Sequence, residues 1–268
     1  ISLFKTTKVK SFKGKSEKIF LSSSTSKNIP SKHYVKSLNN YTESFTKCFN
    51  KFYGKESSYV ILALLPSYLE RKNSSLIYMV ETLIKKSNKK NSGFYLYDFE
   101  KLIKTIKMLE SNNKKTILIG VSFALIDLIK YKKIKLKNTI VMETGGMKGK
   151  KKEISKKELH NFICNGFGIN KVHSEYGMTE ILSQAYSKGK GIFHTPPWMK
   201  IEIRSIDDPL ESIGYEKMGG INIIDLANID SCSFIATQDL GKKLKKGGFE
   251  VLGRFDNSDI RGCNLLIN

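Results

Sequence analysis

Between residues 59 and 143, short apolar runs alternate with segments of helical spacing, and this alternation constrains the fold more than any other feature. The run Tyr59 to Leu65, ended by Pro66, suits a buried strand. Ser74 to Lys86 suits a helix with Leu76, Met79, Val80, Leu83 and Ile84 on one face. Phe94 to Tyr97 then reads as a strand, Phe99 to Leu109 as a helix, and Thr116 to Ile119 as a strand. Ser122 to Tyr131 reads as a helix, and Thr139 to Glu143 as a strand ending at Gly145-Gly146. Strands joined this way imply a mainly parallel sheet covered by helices. Upstream, Lys18 to Ser22 reads as a strand that enters a polar loop, Ser23 to Ser31, after which Tyr34 to Tyr53 has helical spacing and stops at Gly54.

Ser155 and Glu158 form a capping box that starts a helix through Cys164, with Gly166 or Gly168 to end it. Beyond Tyr176 the texture changes. Met199 to Ile203, Gly220 to Asp225, Ser233 to Thr237 and Phe249 to Leu252 read as short strands separated by turns. The fold expected is α/β, a mainly parallel sheet with covering helices followed by a small β-rich, barrel-like lobe. Residues 1–175 would form the core, and 176–268 would carry the lobe of the same domain. A start at Ile1 and an end soon after Cys263 suggest a shortened version of something longer.

No run of about eighteen apolar residues exists and the start lacks a secretory pattern, so no transmembrane segment and a cytoplasmic location are expected. Cys48, Cys164, Cys232 and Cys263 are scattered without a Cys-x-x-Cys pair and read as reduced thiols. The net charge of +21 would draw any polyanion. Its lysines, however, spread over nearly every segment without interleaved aromatics, so solvated faces and compositional drift explain them better than a specific nucleic-acid partner. The arginines are only Arg71, Arg204, Arg254 and Arg261. In so lysine-rich a chain, retained arginine marks places where a planar, two-pronged donor is useful.

The stretch His173 to Glu180 concentrates nucleotide-binding chemistry. The Tyr176 ring can stack on adenine, Gly177 lets the backbone approach across Met178, Thr179 can donate to an α-phosphate, and Glu180 can hold magnesium. A turn with a half-buried tyrosine and a capping Thr and Glu is the structural alternative. Asp239, within Thr237 to Gly241, can accept from both ribose hydroxyls while Arg254 donates to the sugar or phosphate; either alone would also suit a surface ion pair. Ser23, Ser24, Thr25, Ser26 and Lys27 offer phosphate donors at a strand-to-helix turn, or form an ordinary serine-rich turn. Gly120, Ser122 and Phe123, with Gly145 and Gly146, sit where strands end and leave room for an acyl chain, or serve tight turns. Pro196-Pro197-Trp198 reads as a rigid turn anchoring the only tryptophan. The histidines show no metal-ligand spacing and no Ser-His-Asp set is present.

With these motifs in this order, the chain resembles the adenylate-forming superfamily, and within it the LuxE-type acyl-protein synthetases. The family's phosphate loop with its following Pro-Ser-x-His maps onto Ser22 to His33, its Tyr-Gly-x-Thr-Glu onto Tyr176 to Glu180, and its Thr-Gly-Asp-Leu onto Thr237 to Leu240. The resemblance implies a ligase that activates a fatty acid with ATP and Mg2+ as an acyl-adenylate. The acyl group would pass to a protein cysteine, an acyl-acceptor protein or an acyl carrier protein. Departures are Ser24 and Lys27 in place of loop glycines and Gln238 in place of the glycine before the ribose aspartate. The C-terminal domain of acyl-CoA ligases has no room here, so coenzyme A thioester formation is not expected. Cys263, beside Arg254 and Arg261 near the chain end, is a candidate acyl acceptor; a small apolar packing residue is the alternative. A non-catalytic acyl- or nucleotide-binding protein of the same fold is the other function open to this sequence.

Overall fold

The computed structural model describes residues 1–23, 29–65, 73–145 and 155–255. A short helix α1 (Leu3–Thr6) leads into an antiparallel hairpin, β1 (Lys18–Leu21) with β2 (Lys32–Val35), and then helix α2 (Leu38–Tyr53). The polar loop thus joins two strands, not a strand and a helix as the spacing suggested. Residues 32 to 35 alternate buried and open, burying His33 and Val35, which is strand periodicity. The loop positions Ser24 to Lys27 lie outside the described residues.

The α/β alternation then appears as β3 (Val60–Leu64), α3 (Ser75–Ser87), β4 (Gly93–Phe94), α4 (Phe99–Ser111), β5 (Thr116–Gly120), α5 (Ser122–Tyr131), β6 (Thr139–Glu143), α6 (Lys156–Phe167), β7 (His173–Tyr176) and β8 (Ala185–Ser187). These strands form one sheet in the order β4-β3-β5-β6-β7-β8, parallel except for the last pair. Every residue of β3 and β5 is buried, as layers on both faces require. The strand read at Phe94 to Tyr97 stops at Phe94, because Leu96 adopts a left-handed φ of 46° and turns the chain into α4. Ser74 and Asp98 cap α3 and α4; the capping box of Ser155 and Glu158 opens α6, and Gly168 at φ 62° closes it.

Successive residues of β7 meet opposite layers. His173 Nδ1 lies 3.1 Å from Tyr53 Oη on α2, whereas Ser174 Oγ lies 3.4 Å from His160 Nε2 on α6. Side chains alternate across a strand, so α2 and α6 cover opposite faces.

The rest of the chain builds a second, antiparallel sheet from β9 (Ile192–Phe193), β10 (Met199–Arg204), β11 (Ser212–Ile213), β12 (Gly219–Asp225), β13 (Phe234–Lys243) and β14 (Phe249–Arg254), in the order β11-β10-β12-β13-β14-β9. Its own core contains Ile201, Ile203, Ile221, Ile223, Ile235 and Phe249. Gly219 must lack a side chain, since a Cβ there would fall 2.1 Å from the Arg204 carbonyl oxygen. The two sheets are tied at Asp225, whose carboxylate accepts from the Leu182 and Ser183 amides at 2.8 and 3.0 Å. Beside it, Trp198 Nε1 faces Ser44 Oγ and Ser183 Oγ at 3.1 and 3.0 Å. Cys48, Cys164 and Cys232 are free thiols, and no helix among the described residues is long and apolar enough to cross a membrane.

Candidate active site

The carboxyl ends of β3, β5, β6 and β7 lie side by side, with Leu64 opposite Gly120, Gly120 opposite Glu143, and Glu143 opposite Ser174. Open α/β sheets bind ligands along this edge. Tyr176 leaves it at the end of β7 and meets the antiparallel sheet. Its Oη donates to Asp239 Oδ2 at 2.8 Å, and Arg254 Nε donates to Asp239 Oδ1 at 2.9 Å. The Asp239 backbone amide donates to Thr237 Oγ1 at 3.0 Å, fixing the backbone from which the carboxylate projects. Asp239 is buried while Arg254 is about half exposed, so the pair has an inner and an outer end. The Tyr176 ring packs against Phe193 and Phe249, with centroids 5.9 and 5.8 Å away. Burial, reinforced by the Asp239 carboxylate, holds the phenol well above its ordinary pKa and keeps it a donor.

The turn after Tyr176 is pinned from the hairpin. His33 Nδ1 lies 2.7 Å from the Thr179 carbonyl oxygen, and His33 Nε2 lies 2.9 Å from Asn228 Oδ1. Asn228 Nδ2 is committed to the carbonyls of Glu180 and Cys232, which fixes Oδ1 toward the ring. Only an imidazolium could donate to both oxygens. Burial opposes that charge and lowers the pKa to about 4, against the pull of its two acceptors. Since β2 follows the serine and threonine loop, this contact stands the stem of that loop beside Thr179. The stem is closed by the Ser31 amide, which donates to Ser22 Oγ at 2.8 Å, and Ser23 is exposed just beyond it. Neither His33 nor Asn228 was a candidate from sequence, although His33 closes the Pro-Ser-x-His segment.

Glu180 is buried and Thr179 and Met178 are partly buried, with Gly177 exposed. A Cβ on Gly177 would lie 2.5 Å from Glu175 Oε1. The Glu175 carboxyl is pushed up to about 8, first by burial and then by the charge of Glu143, with Lys156 opposing. No group of three His, Cys, Asp or Glu among the described residues could by itself hold a metal. A cation at Glu180 would therefore take its remaining oxygens from a ligand or water.

Glu143, read from sequence only as a strand end, organises the floor. Its Oε2 accepts from the Gly145 amide at 2.7 Å and faces Ser122 Oγ at 3.4 Å. Its Oε1 lies 3.1 Å from Lys156 Nζ and 3.5 Å from His160 Nε2, ion-pair distances without an aligned hydrogen bond. Burial alone would raise this carboxyl; Lys156, His160, Ser174 and the Gly145 amide together hold it far below the usual range. The Ser122 amide donates to the Gly145 carbonyl at 2.8 Å, joining the two glycine-bearing strand ends. Gly120 is backed by Leu125, whose side chain would lie 3.0 Å from an added Cβ, and Phe123 is buried. Gly146 and Cys263 lie outside the described residues.

No curated protein matches the chain by sequence. Among solved structures it is similar to ATP-bound MatB from Rhodopseudomonas palustris, with a TM-score of 0.65 and 16% identity over 90% of this chain and 49% of that one. It is also similar to O-succinylbenzoate coenzyme A synthetase (MenE) from Bacillus subtilis in complex with ATP and magnesium ion, at 0.59 and 17% over 88% and 49%. The luciferase-like enzyme of the nonluminescent mealworm Zophobas morio gives 0.55 and 15% over 89% and 57%. The chain spans about half the length of the MatB and MenE chains. At such identities the likeness shows the fold, which is that of adenylate-forming enzymes. The family described as "Acyl-protein synthetase, LuxE" matches residues 1–268 from end to end, and the chain belongs to that family.

Proposed function

We propose that the protein is a ligase that joins a fatty acid to AMP from ATP, releasing pyrophosphate, and passes the acyl group to a protein thiol or another acceptor. The observation that carries this reading is the meeting of Tyr176, Asp239 and Arg254, from three separate motifs, in one hydrogen-bonded set. The residues fit a nucleotide. The Asp239 carboxylate keeps lone pairs for ribose hydroxyls, Arg254 reaches outward toward the sugar or phosphates, and the aromatic Tyr176 stands beside exposed Gly177, where adenine can approach. Thr179 can donate to the α-phosphate next to the stem of the Ser23 to Lys27 loop. Magnesium held by Glu180 would supply charge neutralisation at the phosphates. The fatty acid would enter by the strand ends at Gly120, Ser122, Phe123, Gly145 and Gly146.

In the transfer step the thiolate proposed for Cys263 attacks the acyl carbonyl, a C–S bond forms, and the C–O bond to AMP breaks. Carboxylate-dependent exchange of pyrophosphate into ATP, run across a panel of fatty acids, tests the first step. Absence of exchange with every acid, together with no ATP binding by calorimetry, would sink the enzyme reading. A hydroxylamine-sensitive label from fatty acid and ATP, lost in Cys263→Ala, tests the second.

A further inference from the structure

The lysines that look dispersed in the sequence are gathered by the fold. A groove of about 1030 Å³ runs along α6, walled on its other side by β9, β14 and the turn after β8. Lys156 and Lys157 enter it from the start of α6, Lys171 from the approach to β7, and Lys188 and Lys190 from the turn after β8. Among the described residues, its one acidic lining residue, Glu250, is paired with Lys242 at 3.1 Å. Among the described residues, no carboxylate lies within ion-pair distance of Lys157, Lys171, Lys188 or Lys190.

The convergence registers on a neighbour. His173 is pushed down to about 4 by burial and then by the charges of Lys171 and Lys188, which act on it together. The turn that carries Lys188 and Lys190 takes left-handed conformations at three successive residues, Gly189, Lys190 and Gly191. A lysine rarely adopts that backbone. The inner end of the groove reaches the candidate active site, because Lys156 Nζ pairs with Glu143 and stands 4.4 Å over the Phe193 ring, which packs on Tyr176.

We propose that this groove docks the acidic face of the protein that receives the acyl group, a partner assignment that rests on the activity proposed above. Concentrated charge of one sign in a concave surface steers an oppositely charged partner and sets its register. Nucleic acid fits less well. Among the described residues the groove offers no arginine fork, and of its phenyl and phenol rings Tyr186 is buried and Phe52 partly so, leaving little for bases to stack on.

Fluorescently labelled holo-acyl carrier protein, an acidic protein with a thiol arm, is the probe. Binding to the wild-type chain should weaken about tenfold as salt rises from roughly 50 to 200 mM, and should fall at least about tenfold in the variant Lys157→Glu, Lys171→Glu, Lys188→Glu, Lys190→Glu. Pyrophosphate exchange and Tm should be unchanged. Should that variant misfold, Lys171→Gln with Lys188→Gln gives a smaller drop in the same direction. No binding to the wild type, or equal binding to a folded variant, overturns the proposal. So does equal competition by a single-stranded oligonucleotide of the same charge, which would mark a general polyanion surface. Binding needs no ATP, so failure of exchange alone removes the proposed activity and leaves the docking result readable.

Discussion

Arg254 stands opposite Asp239 across the β13–β14 pair and donates from Nε to its Oδ1 at 2.9 Å. The same carboxylate receives the Tyr176 hydroxyl on its other oxygen. One buried acid is thus shared between the two sheets.

Asp239→Asn is expected to weaken ATP binding by tenfold or more in calorimetry, because the amide keeps the shape and loses an acceptor for the ribose. Arg254→Lys should weaken it less. The arginine is about half exposed, so its pairing adds at most about 1 kcal/mol to stability, and urea unfolding should barely move.

Tyr176→Phe removes a hydrogen bond to a carboxylate and keeps the ring against Phe193 and Phe249. A loss of about 1.5–3 kcal/mol in urea unfolding is expected. ATP affinity should fall only a few-fold. Tyr176→Ala removes the ring as well and should abolish nucleotide binding; equal affinities of the two variants would place adenine elsewhere.

The parallel sheet was legible because its strands are buried on both faces and read as unbroken apolar runs, as Val60–Leu64 does. The β1–β2 hairpin was not, since Tyr34 and Val35 carry a spacing that fits the following helix as well as a strand. The motif residues Tyr176, Asp239 and Arg254 could be named from their order, whereas their direct bonding depends on how β7 meets β13. His33, Asn228 and Glu143 were missed for a different reason. Each acts through a contact with a residue more than twenty positions away or a turn beyond its own strand, and no local pattern marks such a partner.

His173 should make the fold acid-sensitive. Its pKa of about 4 lies below the ordinary 6.5, so between those values the unfolded chain holds more protons than the folded one. Stability contributed there is complete above pH 6.5 and is lost as pH falls toward 4. His173→Gln should flatten this limb by on the order of 2 kcal/mol in urea unfolding followed from pH 7 to 4. An unchanged slope would show that burial, with the charges of Lys171 and Lys188 behind it, does not depress this histidine.

Glu175 acts in the opposite window. With a folded pKa of about 8 against an ordinary 4.5, the folded state holds the extra proton, and stability declines as pH rises from 4.5 to 8. Glu175→Gln should therefore be more stable than the wild type at pH 8.5, by about 1 kcal/mol or roughly 2–4 °C in Tm, because residual access to water softens the penalty. Near pH 4.5 the two should melt together.

His33→Ala should strand whichever of the Thr179 carbonyl and Asn228 Oδ1 accepts the single N–H of the neutral ring. That stranded oxygen costs about 1–3 kcal/mol. Pyrophosphate exchange should fall further than the loss of folded protein explains, measured on the folded fraction at low temperature. Equal losses would reduce the histidine to a core contact.

Trp198 is the only tryptophan in the chain, and its indole N–H is held between Ser44 of α2 and Ser183 ahead of β8. The molecule therefore carries a single indole, which can be excited apart from its twelve tyrosines and is placed where one sheet is fastened to the other. Its emission reports on that seam alone. A shift to longer wavelength under mild denaturant, before circular dichroism changes, would record the two halves parting while each keeps its own structure, and coincident traces would show them melting as one.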